Sequence, residues 1–176
     1  MTSFALSQIF IGIAICFDLI SFQFKDRNKI LICLLISCFL IGTHFALLEQ
    51  WTATGLAFLA IFRYLVSLKT TSKIAMWIFI SLSVVIATFT YGGLLSIISC
   101  LGSIFGAAGT FCKNDQRLRE FIFIGTALWL LNNILLGSPA AVLMESLFIG
   151  SNLVGYFRFY IRPALKKRHA AGRAPG

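Results

Sequence analysis

Charge is scarce in this sequence, and negative charge scarcest. Asp, Glu, Lys and Arg make up 12% of the 176 residues, and only six are acidic. Soluble domains carry about 25%. With 59% hydrophobic residues and a mean hydropathy of +0.91, a soluble fold of this size has too little interior to hide its apolar surface. The composition points to an integral membrane protein. Equally absent are the signatures of chemistry: no P-loop, no HExxH, no metal-ligand cluster and no Ser–His–Asp constellation. An enzyme reading has no footing, so no catalytic residue, metal or cofactor is expected. The start, MTSFALSQIF, lacks a positive n-region, and no A-x-A site follows it. It reads as a retained first helix. The five cysteines, Cys16, Cys33, Cys38, Cys100 and Cys112, follow no metal spacing. They read as small apolar residues rather than disulfide partners.

What is present is a series of apolar runs. Helices are expected over about residues 4–24, 30–48, 51–68, 74–91, 94–111, 121–136 and 140–161. The breaks are short, such as KDRNK, EQ, KTTSK, GG and GSP, so consecutive helices must be antiparallel neighbours. Cations occupy alternate breaks. Lys25, Arg27 and Lys29 follow the first helix, Lys69 and Lys73 the third, and Lys113, Arg117 and Arg119 the fifth. Arg158, Arg162, Lys166, Lys167, Arg168 and Arg173 lie at or after the end of the seventh. That places fourteen of the fifteen Lys and Arg on one side, while the other side carries only Glu49. The positive-inside rule puts the N-terminus outside and the C-terminus in the cytoplasm. The net charge of +9 therefore reflects topology and attraction to anionic headgroups, and calls for no nucleic acid.

Offset by 88 residues, half its length, the sequence falls partly on itself. Lys25 meets Lys113, Lys29 meets Arg117, Leu48 meets Leu136, Phe17 meets Phe105, Ile36 meets Ile124 and Ala53 meets Ala141. Helix, basic loop, helix, tiny loop, helix occurs twice, with one helix between. The expected fold is thus all-α, with seven transmembrane helices arranged 3+1+3 as two parallel three-helix-bundle repeats. The divisions are 1–68 for the first bundle, 69–93 for the linker helix, 94–162 for the second bundle and 163–176 for a basic cytoplasmic tail. Parallel repeats of this kind can enclose a shared cavity.

Few ionisable groups lie within the expected spans: Asp18, His44, Arg63 and Glu145. Each is costly in lipid and needs a partner or a cavity. At about 1.5 Å per residue, Asp18 and Arg63 share one level toward the basic loops. His44 and Glu145 share another near the opposite side. Two readings stand. The side chains are structural pairs, with Arg63 snorkelling to headgroups; or they line a polar path, with His44 and Glu145 as a gate or proton site. Asn132, Asn133 and Asn152 are either helix–helix glue or part of that lining. At the half-length offset Tyr64 falls on Asn152 and His44 on Asn132, which suggests convergence on one axis. Gly102, Gly106 and Gly109 allow close helix approach.

The stretches SFQFKDRNKI, GTHFALL, RYLVSL, WLLNNILLGSPAAVLMES and GSNLVGYFRF resemble the YgjV family of bacterial inner-membrane proteins, over roughly residues 4–162. The matching polar positions are His44, Arg63, Trp129, Asn133, Ser138, Glu145, Asn152 and Arg158; Asp18 is not among them. The resemblance implies a bacterial inner-membrane location. A more distant likeness is to the SWEET and PQ-loop (MtN3-like) transporters, which share the three-one-three arrangement, a Trp in the sixth helix and Asn-x-x-Gly in the seventh. It implies that Trp129 and Asn152 line a site for a small solute. Here His44 and Arg63–Tyr64 stand where that family has a second Trp and Asn, and the Pro-Gln dipeptide is missing, so an anionic or zwitterionic solute fits better than a neutral sugar. The expected function is passage of a small polar solute. Trp129 stacks on it, Asn133 and Asn152 hydrogen-bond it, and Arg63 with Tyr64 meets its charge. The rival is a membrane scaffold or assembly partner with no transported substrate. Small helix bundles often pair, so the expected partners are the lipid bilayer, a small solute and, by that analogy, a second copy in a homodimer.

Overall fold

A computed structural model describes residues 3–165. Lys166, Lys167, Arg168 and Arg173, and with them most of the expected basic tail, lie outside the described residues. The described chain is helical, with no strand. Its helices are α1 (Ser3–Ser21), α2 (Arg27–Leu47), α3 (Trp51–Lys69), α4 (Lys73–Phe89), α5 (Leu94–Thr110), α6 (Asp115–Leu136) and α7 (Pro139–Tyr156); α7 continues through a π-helical turn, Phe157–Ile161. Five segments are long and apolar enough to cross a membrane: α1, α2, α3, α6 and the unbroken Pro139–Leu165. α4 and α5 are shorter, at 17 residues each.

The helix boundaries follow local chemistry. α2 starts at Arg27 because the Asp26 carboxylate accepts from the Asn28 N–H at 2.8 Å, satisfying one orphan amide of the first turn. α6 starts at Asp115, six residues before the apolar run, because Asn114 caps Gln116 N–H at 2.7 Å. The polar segment expected as loop is therefore the first turn and a half of a helix. Asn114 is the half-length counterpart of Asp26.

The tight turns repeat in the same way. α2 ends with Glu49 at φ 58°, and α6 ends with Gly137 at φ 70°. Around the first, Glu49 N–H donates to Ala46 O (3.1 Å) and Gln50 N–H to Phe45 O (3.0 Å). Around the second, Gly137 N–H donates to Ile134 O (3.1 Å) and Ser138 N–H to Asn133 O (3.1 Å). The four donors and acceptors correspond one for one at the half-length offset. Both are left-handed helix ends that satisfy trailing carbonyls. Glycine adopts that conformation freely; a glutamate is strained in it.

Packing closes a ring. α1 lies against α2, α2 against α3, α3 against α5, α5 against α6, α6 against α7, and α7 against α1; α4 sits outside, against α3 and α5. Phe22, Ile30, Leu31, Leu34, Tyr64, Leu118, Ile122 and Phe148 form the largest apolar cluster. It fills the end of the ring toward the basic loops. Outward-facing residues are large and apolar, as in Phe62 (63% exposed), Trp77 (62%) and Phe89 (87%), a surface suited to acyl chains and not to water.

Candidate functional site

Inside the ring is a cavity of about 100 Å³. A single water needs roughly 10–15 Å³ by this measure, so several fit. Every ring helix contributes to its wall, and α4 contributes nothing among the described residues. Its polar lining includes Asp18 from α1, Ser37 from α2, Arg63 and Tyr64 from α3, Ser103 from α5 and Glu145 from α7; Trp129 from α6 forms part of the aromatic wall. On α2 the lining positions are Leu34, Ser37, Cys38, Ile41 and Phe45. That spacing of three and four is one face of a helix.

Arg63 is 4% exposed. Its Nη1 donates to Ser103 O at 3.1 Å and approaches Ser103 Oγ at 3.4 Å. Its guanidinium lies 5.3 Å from the Tyr64 ring centroid, and its Nε has no hydrogen-bond partner. Among the described residues neither Asp18 nor Glu145 forms an ion pair with it; the ion pairs are Arg117–Glu120 and Arg119–Asp115. A buried guanidinium and two buried carboxyls thus share one cavity without neutralising one another by contact. Isolated charges in such surroundings are costly, so the cavity is a place where water or a polar ligand would stabilise the fold.

Two glycines make the room. A Cβ on Gly106 would fall 3.0 Å from Arg63 Nη2, and one on Gly102 would fall 2.9 Å from Trp129 Nε1. The α5 glycines expected as packing residues therefore also seat Arg63 and Trp129. The Trp129 ring lies 5.8 Å from that of Phe45, tilted by 32°. These two aromatics, one from each half of the sequence, line the cavity on the side away from the basic loops.

The expected residues divide. Arg63, Tyr64, Trp129 and Glu145 line the cavity; His44, Asn133 and Asn152 do not. The level-matched pairs do not form. His44 is fully buried between α2 and α1, with Nδ1 3.1 Å from Ser7 O and Nε2 unpartnered. Glu145 Oε1 instead meets Asn133 Nδ2 at 3.5 Å. Depth alone does not fix a side chain's direction. Consecutive helix positions point about 100° apart, and on α2 it is Phe45 that faces inward, which turns His44 toward α1. Asn132, its half-length counterpart, makes the analogous tie to the preceding helix, accepting from Ser99 Oγ at 3.0 Å. Asn152 donates from Nδ2 to Arg119 O at 2.9 Å, below the cavity and toward the basic loops.

By sequence alone Arg27 and Arg119 belong with the loop charges. Both enter the bundle. Arg27 donates from Nε to Cys112 O (2.9 Å) and from Nη2 to Ser67 O (3.0 Å) and Thr110 O (2.7 Å). Arg119 is completely buried. It donates from Nη1 to Phe22 O (3.3 Å) and from Nη2 to Phe24 O (2.6 Å). Asp115, beside it, accepts from the Tyr160 hydroxyl. A signal for Arg119 was available: it shares a helix face with Ile122 and Thr126, three and seven positions on. Among the described residues no three His, Cys, Asp or Glu side chains are placed to hold a metal ion.

Among the described residues, seven packed helices with an apolar exterior, five of them long enough to cross a bilayer, and a polar cavity at the centre define a multi-pass α-helical membrane protein. The family model for YgjV-type bacterial inner membrane proteins matches residues 5–162. The chain is similar to "Inner membrane protein YgjV" of Escherichia coli (strain K12), with 28% identity over 160 residues that cover 91% of this chain and 87% of that protein. No solved structure matches. This chain belongs to the YgjV family, and is a multi-pass protein of the bacterial inner membrane.

Proposed function

We propose that the chain crosses the membrane seven times as two parallel three-helix bundles joined by α4, and passes a small polar solute through the central cavity. Exchanging α1 with α5, α2 with α6 and α3 with α7 maps the ring of helix contacts onto itself, which supports the two-bundle reading. So do the matching turns at Glu49 and Gly137. The basic loops face the cytoplasm in this reading and the N-terminus lies outside.

The observation that carries the proposal is the cavity, walled by both halves and holding Arg63, Asp18 and Glu145 without a direct ion pair. A guanidinium and two carboxyl groups in one small chamber suit a zwitterionic solute. Its anionic group meets the Arg63 guanidinium and its cationic group a carboxylate, while Trp129 offers an aromatic face. The SWEET-like part of the reading rests on Trp129; Asn152 and Gly155 now belong to the cluster around Arg119 and bear no contact with the cavity. Ligand-induced thermal shifts of the purified protein against amino acids, carboxylates and neutral sugars test this. The expected result is stabilisation by zwitterions, lost in Arg63→Gln and Glu145→Gln.

The scaffold reading draws on one observation: His44, Asn132, Asn133 and Asn152 all bond to neighbouring protein groups. No stabilisation by any solute class, together with no uptake into proteoliposomes, would favour it.

A further inference from the structure

The two inward-turned arginines correspond in a way their sequence positions conceal. The carbonyls that Arg27 binds at the end of α5, Thr110 and Cys112, are the half-length counterparts of those that Arg119 binds, Phe22 and Phe24. The third carbonyl of Arg27 belongs to Ser67, whose counterpart is Gly155. A Cβ on Gly155 would lie 2.5 Å from Arg119 Nη1, so Arg119 rests against that position too. The arginines themselves are not counterparts. Arg27 corresponds to Asp115, and Arg119 to Leu31, one helical turn away. Each half thus brings a guanidinium to the same three places from a different turn of its second helix.

Each guanidinium also crosses from its own half to the other. Arg27, on α2, holds the end of α5; Arg119, on α6, holds the end of α1. Carbonyls at helix C-termini carry partial negative charge, and cationic donors there make strong bonds. Nearby, Ser151 Oγ donates to Leu19 O at 2.9 Å and Gln23 Nε2 donates to Ser151 Oγ at 3.2 Å, again joining α7 to α1. At the opposite end a direct side-chain bond between the halves runs from Thr52 to Ser96, at 3.0 Å.

We infer that Arg27 and Arg119 are paired latches of a gate, which close the cavity on the basic-loop side and must release their carbonyls for a solute to pass there. The inference rests on the passage reading above. Motion of one bundle against the other separates α2 from α5 and α6 from α1 at this end, and those are the contacts the two guanidiniums span.

Cys38 lines the cavity and serves as the reporter. In full-length protein with Cys16, Cys33, Cys100 and Cys112 replaced by Ser, a membrane-impermeant maleimide is applied to spheroplasts and to inside-out inner-membrane vesicles. Arg27→Gln and Arg119→Gln should each raise the rate of Cys38 labelling from the basic-loop side about tenfold, the shift expected for losing charge-assisted bonds. Arg27→Lys, which keeps the charge but cannot span three carbonyls, should raise it less. Labelling from the opposite side should not rise. Thermal unfolding confirms that each variant is folded; Arg27, at a partly exposed helix start, supplies the test if Arg119→Gln does not fold. An unchanged rate from the basic-loop side in folded Arg27→Gln overturns the latch. If Cys38 of the parent, with both arginines in place, is nevertheless labelled from the opposite side, the passage reading survives that loss. Faster labelling in the variants with no solute uptake by the parent has the reverse meaning: the latch stands and passage falls.

Discussion

The two halves of this protein share a frame and differ in what they hang on it. The caps at Asp26 and Asn114, and the turns at Glu49 and Gly137, occupy equivalent places. The side chains inside do not repeat. Asp18 of α1 stands opposite Gly106 of α5 in the correspondence, Trp129 opposite Ile41, and Glu145 opposite Ala57. The first half brings a carboxyl and a guanidinium to the cavity, and the second brings a carboxyl, an indole and the glycines that make space for them. Backbone hydrogen bonds are intolerant of change in a bilayer, because an unsatisfied group there costs several kcal/mol. Cavity-facing side chains answer only to what the cavity holds. A shared backbone frame can therefore be kept while its interior becomes asymmetric.

The largest test of this comparison is the buried latch against the partly exposed one. Arg119→Met removes a fully buried guanidinium from two carbonyls and should cost about 3 kcal/mol of stability; Arg27→Met, at a partly exposed helix start, should cost about half that. Equilibrium unfolding in mild detergent and SDS measures both, and equal costs would show that the two ends are equally wet. Next are the glycines of the second half. Gly106→Ala and Gly102→Ala should each lose about 1–3 kcal/mol by overpacking against Arg63 and Trp129. Ile13 and Leu101 positions facing outward offer the control, since Ile13→Ala and Leu101→Ala should change stability far less. Smallest is the pair of turns. Gly137→Ala should lose about 1 kcal/mol by forcing a Cβ into the left-handed region, whereas Glu49→Gly should gain a few tenths at most, since relief of strain is offset by unfolded-chain entropy. A loss on Glu49→Gly would mean that the carboxylate has a role of its own on that face.

Much of the frame was legible before any coordinates. Apolar runs broken by short polar loops placed every helix, and alternate basic loops anticipated that the first, third and fifth breaks share one end. The helix starts were not legible from hydropathy. Asn114 begins α6 through a single side-chain bond, and hydropathy counts that region as polar. The site was half legible. Arg63, Tyr64, Trp129 and Glu145 stand out as rare residue types within apolar runs, and they do meet at one cavity. The pairings failed because the depth of a residue along a helix leaves its direction open, and His44 lies one position from the inward face. Arg27 and Arg119 were hidden for another reason. A cation at a helix end ordinarily extends into headgroups, and only the fold reveals that carbonyl oxygens of two other helices lie within its reach.

α4 lines no part of the cavity and lies outside the ring. In the proposed seven-span arrangement it nonetheless decides which way up the second triplet enters the membrane. Three crossings deliver the chain to the wrong leaflet for a second copy of the same triplet to begin. One extra passage returns it. α4 is tied to the cavity only indirectly, through the buried Ser83 hydroxyl 3.0 Å from Ser103 Oγ, but in that arrangement its deletion would insert the following triplet upside down.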